Sequence, residues 1–317
     1  MSSQGSQGGG KIKVSVQKAG PLDTGEIAQT MKTIKTKFAI MSGKGGVGKS
    51  FVTANLALGF AMRGYRVGVL DADVYGPTVP KLLGLVGANL YLSEDEKIIP
   101  AEGPFGIKVV SMDFLLPTED TAVIWRGPLV DRAIKDFLGS VLWGDLDALF
   151  IDLPPGTGDA PLTIAQTLAN EMTGSIIVTA PSDVSKRIVQ KAIDFSRKVK
   201  IPIVGIIENM CCFYCPESGK TYYVFGRLIG KEMADKYGVP YLGMVPLDPR
   251  IGESNDLGEP FLMKYSTSDT ARAIFSIVDT VIAMYKDKLE AKTETPTKKQ
   301  IKSLLKLPGE EEGEGES

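Results

Sequence analysis

Gly43-Lys44-Gly45-Gly46-Val47-Gly48-Lys49-Ser50 combines a glycine-rich stretch with two lysines and a hydroxyl. The spacing is G-x-x-x-x-G-K-S, the pattern of a loop that cradles phosphate. Glycines let successive backbone N–H groups turn inward as an anion nest at a helix N-terminus. Lys49 is then placed to reach the β- and γ-phosphates of a nucleotide, and Ser50 to offer its hydroxyl to Mg2+. Lys44 is surplus to that arrangement. By its chemistry alone it reads equally well as a solvated loop cation.

Acids follow at two strand ends. Asp71-Ala72-Asp73 closes the apolar run Val67–Leu70, and Asp152 closes Leu149-Phe150-Ile151. Phosphoryl transfer needs one group to orient the attacking water and others to hold the Mg2+ shell. Aspartates at strand ends also form turns and caps, so the decisive point is the D-x-D one βα unit after the glycine loop. Asp152 opens D-L-P-P-G-T-G-D, whose Pro154-Pro155-Gly156 turn is placed to sense a γ-phosphate.

The chain has three cysteines, Cys211, Cys212 and Cys215, crowded together just after Asn209. The C-x-x-C pair of Cys212 and Cys215 brings two thiolates within reach of one metal or cluster, half of a four-thiolate site. Two copies related by a two-fold axis would complete it, holding a bridging [4Fe–4S] cluster or a zinc ion. Redox thiols and buried packing cysteines are the other readings, and Cys211 can stand in for Cys212. Asn209 follows the apolar run Ile203–Ile207, where a turn-forming role is the plain reading.

These residues need a scaffold that gathers strand ends. Short apolar runs at Phe38–Met41, Val67–Leu70, Ile107–Val110, Ala148–Ile151, Ser175–Thr179, Ile203–Ile207 and Tyr241–Met244 alternate with helical patterns. The helices are expected at Ser50–Arg63, Leu129–Leu138, Pro161–Ala169, Ser185–Val199 and Thr270–Tyr285. That alternation predicts an α/β fold with a mostly parallel twisted sheet and helices on both faces. Ligands then gather at the strand C-termini. Residues 1–36 are expected to be mobile, 37–285 to form the domain with a cysteine loop at about 209–220, and 286–317 to be a charged, disordered tail.

Composition closes off other chemistries. With 317 residues, 43% hydrophobic and net charge −2, the chain is long enough for a substantial core and lacks a basic footprint for nucleic acid. It has no histidine, which removes histidine-based triads, general bases and metal ligands. No run is long enough for a transmembrane helix, and Met1–Gly10 lacks the apolar stretch of a secretory signal. A cytoplasmic protein is expected.

The K-G-G-V-G-K-S loop resembles the deviant Walker A group of P-loop ATPases: MinD, ParA, the nitrogenase iron protein and Mrp-type iron–sulfur cluster carriers. The strings D-A-D-V-Y-G-P, Trp125-Arg126-Gly127-Pro128 and D-L-P-P-G-T-G-D resemble the Mrp branch, and the similarity extends through Arg250. The resemblance implies a homodimer closing around two ATP molecules, with Lys44 of one subunit touching the phosphates held by the other. It implies that Asp73 positions the attacking water, that Asp71 and Asp152 support the Mg2+-bound waters, and that Asn209 bonds the adenine. Residues Pro246–Arg250 would line the base pocket too.

The same resemblance implies a cluster carrier that hydrolyses ATP slowly and delivers its cluster to apo-proteins. The branch pattern is N-M-S-x-F-x-C-P-x-C. Here Cys215 falls on its first cysteine and Ser218 on its second, so the C-x-x-C is shifted upstream to Cys212 and Cys215. Two other functions share the loop. One is a MinD/ParA-like positioning ATPase, which the basic, weakly amphipathic stretch 298–307 would suit, although membrane attachment is not expected. The other is an ATP-gated electron donor.

Overall fold

The computed structural model describes residues 24–74, 76–115, 127–168 and 171–291. Tyr75, Trp125, Arg126 and the 298–307 stretch lie outside them.

Aliphatic and aromatic runs form the strands: β1 (Ile34–Met41), β2 (Val67–Asp71), β3 (Tyr91–Leu92), β4 (Ile98–Ile99), β5 (Ala101–Glu102), β6 (Lys108–Ser111), β7 (Leu146–Asp152), β8 (Gly174–Thr179), β9 (Ile203–Tyr214), β10 (Thr221–Tyr222) and β11 (Tyr241–Leu247). The helices are α1 (Thr24–Lys32), α2 (Lys49–Met62), α3 (Val79–Leu82), α4 (Gly127–Gly139), α5 (Asp159–Thr167), α6 (Asp183–Lys198), α7 (Gly230–Tyr237), α8 (Arg250–Leu257), α9 (Phe261–Lys264), α10 (Asp269–Met284) and α11 (Lys286–Glu290). All seven expected strands and all five expected helices form, with bounds shifted by a few residues.

Nine of the described strands make one sheet in the order β10-β9-β8-β1-β7-β2-β6-β5, with β11 also paired to β9. Among the described strands of this sheet, only β5 and β10 run antiparallel to their neighbours. Strands β2, β7 and β8 are buried along their whole length. Continuous burial, rather than alternation, is what helices on both faces of a parallel sheet impose.

Helix α2 is buried on nearly every side. Its Phe60 ring packs against Phe38 of β1 and Phe150 of β7, with centroids 6.4 and 5.1 Å away. Gly59 lets α10 approach, because a Cβ there would stand 2.6 Å from a Val278 methyl.

Register brings the functional strand ends together. Ile40 of β1 and Asp71 of β2 both pair with Asp152 of β7. The glycine loop leaves β1 two residues later, so the loop and the acids share one edge of the sheet.

Three expectations need correction. Residues 24–36, read as mobile, hold α1 and the start of β1. Ile27 and Met31 of α1 are buried, and the Thr30 hydroxyl donates to the Gly139 carbonyl of α4. Lys35 and Lys37 disguise the strand in the sequence. The Lys35 amine donates to the Leu289 carbonyl from across the fold, and the Lys37 amine to the Ile34 carbonyl three residues back. At the other end, 286–290 forms α11 with Leu289 buried. The first half of the expected cysteine loop, 209–214, is instead strand, and 215–220 is the turn. β9 continues through Cys211 and Cys212 to Tyr214, because Phe213 and Tyr214 pair with Tyr222 and Thr221.

Candidate functional site

The glycine loop occupies the turn between β1 and α2. Gly46 and Gly48 are left-handed, with φ of 76° and 75°, a conformation glycine adopts without steric cost. α2 begins immediately at Lys49, so its free N–H groups lie under the loop. A cavity of about 420 Å³ opens here, lined by Gly45 through Phe51, Asp73 and Pro155.

The buried end of the site is a compact ionic cluster. Lys49 Nζ lies 2.6 Å from Asp152 Oδ2 and 3.8 Å from Asp73 Oδ2. The Ser50 hydroxyl donates to Asp152 Oδ2 at 2.6 Å, and Thr53 on the next helical turn donates to Asp152 Oδ1 at 2.5 Å. Asp152 is fully buried, so each of its oxygens needs such a partner. Ser50 and Asp152 together present hydroxyl and carboxylate oxygens, a hard donor set that fits Mg2+. Lys44 is exposed at the loop tip, free of the cluster.

Asp71 stands deeper. Its Oδ1 accepts from the Asp73 N–H at 3.2 Å, and its Oδ2 from the Ser111 hydroxyl and the Val79 N–H. Burial, reinforced by the neighbouring Asp152 carboxylate, pushes Asp71 up to about 8. These bonds tie it to the segment that carries Asp73, away from the cavity lining where Mg2+-bound waters were expected to meet it.

The cysteines divide by environment. Cys211 is fully buried and its thiol is raised, by desolvation first and by the Cys212 thiol second. The Cys211 and Cys212 sulfurs lie 3.0 Å apart. Cys215 is half-buried at the turn that closes the β9–β10 hairpin, where its N–H donates to Lys220 and its carbonyl accepts from Gly219. Its thiol is lowered by the Ser218 hydroxyl and N–H, and further by the Glu217 N–H. A sulfur that receives several N–H and O–H groups is stabilised as a thiolate, the form that binds metal. Among the described residues no group of three or more acidic, cysteine or histidine ligands gathers within one subunit.

A family model described as ParA, the NUBPL iron-transfer P-loop NTPase, matches residues 33–282. The chain belongs to this family. Among its relatives is the iron–sulfur cluster carrier protein of Saccharolobus solfataricus, 54% identical over 257 residues that cover 81% of this chain and 86% of the relative. The carrier protein of Aquifex aeolicus is 46% identical over 81% of this chain and 70% of its own length. Among solved structures, a nucleotide-binding protein from Archaeoglobus fulgidus in complex with ADP superposes with a TM-score of 0.69 at 39% identity, covering 78% of this chain and 96% of its own. MinD of Aquifex aeolicus shares the fold, at 18% identity and a TM-score of 0.55, over 78% of this chain and 97% of that one.

Of the residues expected at the site, Gly45–Ser50 and Asp73 line the cavity, Asp152 lies beneath it on Lys49 and Ser50, and Gly43, Lys44 and Asp71 are outside its lining. Asn209 departs from its expected place. It is almost fully buried, and its Nδ2 donates to the Val47 carbonyl at 2.9 Å instead of lining the cavity. The outer cavity wall comes from Leu82 of α3 and from Asn255 and Asp256 of α8, rather than from 246–250.

Sequence reasoning missed several supporting residues. Thr53 lies one helical turn beyond Lys49, a spacing that could have flagged it. Glu208 is fully buried on β9, accepting from the Ile229 N–H at 2.7 Å and from the Tyr241 hydroxyl. Ser111, Asn255 and Asp256 sit in stretches that carry no motif.

Proposed function

We propose that this chain is an ATP-hydrolysing iron–sulfur cluster carrier that works as a homodimer, with the cluster as its cargo. The observation that carries the reading is physical continuity: the strand that bears the cysteines is hydrogen-bonded, through Asn209, to the phosphate loop. Family membership and the names of the relatives support it.

The loop N–H groups and Lys49 bind the β- and γ-phosphates of ATP, while Ser50 and Asp152 hold Mg2+, which supplies charge neutralisation there. Asp73 orients the attacking water, and Asp71 fixes the backbone of Asp73. Exposed Lys44 is free to reach the phosphates of a second subunit.

Cys212 and Cys215 offer two thiolates per chain, and a [4Fe–4S] cluster takes four. The chain's three cysteines fall short of four thiolates, so completion falls to the same pair from a second copy. The clients are apo iron–sulfur proteins, and the site of action is the cytoplasm. Among the described residues no helix is long and apolar enough to cross a membrane.

The reading is tested by loading the protein anaerobically and following cluster transfer to an apo-ferredoxin with ATP, with ADP and without nucleotide. Nucleotide-dependent transfer is expected. Binding of zinc alone would remove the carrier reading, and transfer that ignores nucleotide would remove its coupling to ATP.

A further inference from the structure

Asn209 joins two parts of the molecule that the sequence separates. Its amide donates to the Val47 carbonyl at 2.9 Å. In a trans peptide the carbonyl and the following N–H point to opposite sides. Fixing the Val47 carbonyl therefore turns the Gly48 N–H away from Asn209, towards the cavity that Val47 and Gly48 both line. The contact is tight: a Cβ on Gly48 would stand 2.2 Å from Asn209 Nδ2 and 3.4 Å from the Met210 methyl.

Met210 is itself unusual. Its φ is 57°, a left-handed conformation rare for a residue with a side chain. Across the ladder, Val245 pairs with Asn209 and Leu247 with Phe213. β11 thus advances two residues while β9 advances four, so Met210–Cys212 is a bulge. In a regular strand neighbouring side chains point to opposite faces. The bulge instead brings the Cys211 and Cys212 sulfurs to 3.0 Å. One local distortion touches the phosphate loop on one side and sets the cysteine geometry on the other.

We infer that Asn209 is a positioning residue that aims the Gly48 N–H at bound phosphate and, through the left-handed Met210, couples phosphate occupancy to the geometry of Cys211 and Cys212. This rests on the nucleotide-binding half of the proposed function and not on iron. Phosphate bound to the Gly48 N–H holds the Val47–Gly48 peptide, and with it Asn209 and the bulge. Releasing the phosphate frees the peptide to turn and the bulge to relax.

The test uses the full-length, iron-free protein under anaerobic conditions. Calorimetry reports binding of Mg2+·ADP, and iodoacetamide alkylation, resolved by mass spectrometry, reports the rate at Cys212 relative to Cys215. In the parent, Mg2+·ADP should change that ratio by about fivefold or more, the lower range of site-to-site coupling. Asn209→Asp keeps the shape and loses the donor, and should weaken Mg2+·ADP binding by roughly tenfold. Met210→Gly accepts the left-handed backbone and allows others, so it should bind Mg2+·ADP like the parent while the ratio no longer responds.

An unresponsive ratio in a parent that binds Mg2+·ADP would overturn the coupling and leave the ATPase reading standing. Parent-like binding by Asn209→Asp, or a full response in Met210→Gly, would overturn it as well. So would a purely structural outcome for Asn209→Asp, in which all three thiols react faster and the nucleotide response is kept. Absence of Mg2+·ADP binding by the parent would overturn both readings.

Discussion

Lys49 Nζ lies 2.6 Å from Asp152 Oδ2, so the cation expected to receive the phosphates is ion-paired with the acid expected to serve Mg2+. Phosphate and carboxylate therefore compete for one ammonium group. Mg2+ on Ser50 and Asp152 would take over the neutralisation of that acid as Lys49 turns to the nucleotide.

Removing the ammonium tests this pairing. Lys49→Ala leaves Asp152 fully buried with only hydroxyl partners, and breaking a buried pair from one side costs about 3–5 kcal/mol. Urea denaturation of the nucleotide-free protein should show a loss of that order, and titration calorimetry should show nucleotide binding abolished. Parent stability in the variant would contradict the pairing.

Asp73 lines the cavity 3.8 Å from Lys49 Nζ, and the role proposed for it is to orient the attacking water rather than to bind the nucleotide. Asp73→Asn should lower ATP turnover by about 10²-fold or more, the range for a lost acid–base group. Affinity for ADP should stay close to the parent's. Phosphate release and equilibrium binding measured on the same preparation separate the two effects, and undiminished turnover would move the role elsewhere.

Asp71 gives the protein a pH signature. Its folded value of about 8 stands above the ordinary 3.8, so between those limits the folded state holds a proton that the unfolded chain has released. Stability from this group falls as pH rises through the window. Asp71→Asn removes the dependence, and its urea midpoint should vary less than the parent's from about pH 5 to pH 8. Identical slopes in the two proteins would show that Asp71 is already ionised.

The two left-handed loop glycines should respond unequally. A Cβ on Gly46 meets nothing within 4 Å, whereas one on Gly48 would stand 2.2 Å from Asn209 Nδ2. Gly46→Ala should cost about 1–2 kcal/mol of backbone strain and retain measurable nucleotide binding. Gly48→Ala should lose binding altogether. Equal behaviour of the two variants in a fluorescent-nucleotide assay would contradict the Asn209 contact.

The buried parallel strands and the phosphate edge were legible because their signals are local. An apolar run ending in Asp71 or Asp152, or a glycine loop before a helix, states its own role. Helix α1 and the first half of β1 were not legible, because Lys35 and Lys37 look solvated until Asp147, Leu289 and Glu171 supply partners from across the fold. The continuation of β9 through Cys212 depends on pairing with Tyr222, which short-range pattern cannot report. The same holds for Asn209. Its strand-end position suggested a base contact, and only the three-dimensional approach of β9 to Val47 shows where its amide goes.

The central claim is that the cysteine hairpin holds an iron–sulfur cluster between two subunits. Anaerobic reconstitution with iron and sulfide, with iron counted per dimer in the parent and in the Cys212→Ala and Cys215→Ala variants, tests it most directly. The account predicts about four iron atoms per dimer in the parent, loss in both variants, and retention in Cys211→Ala. A parent that binds no iron, or that keeps its iron without Cys215, would contradict it.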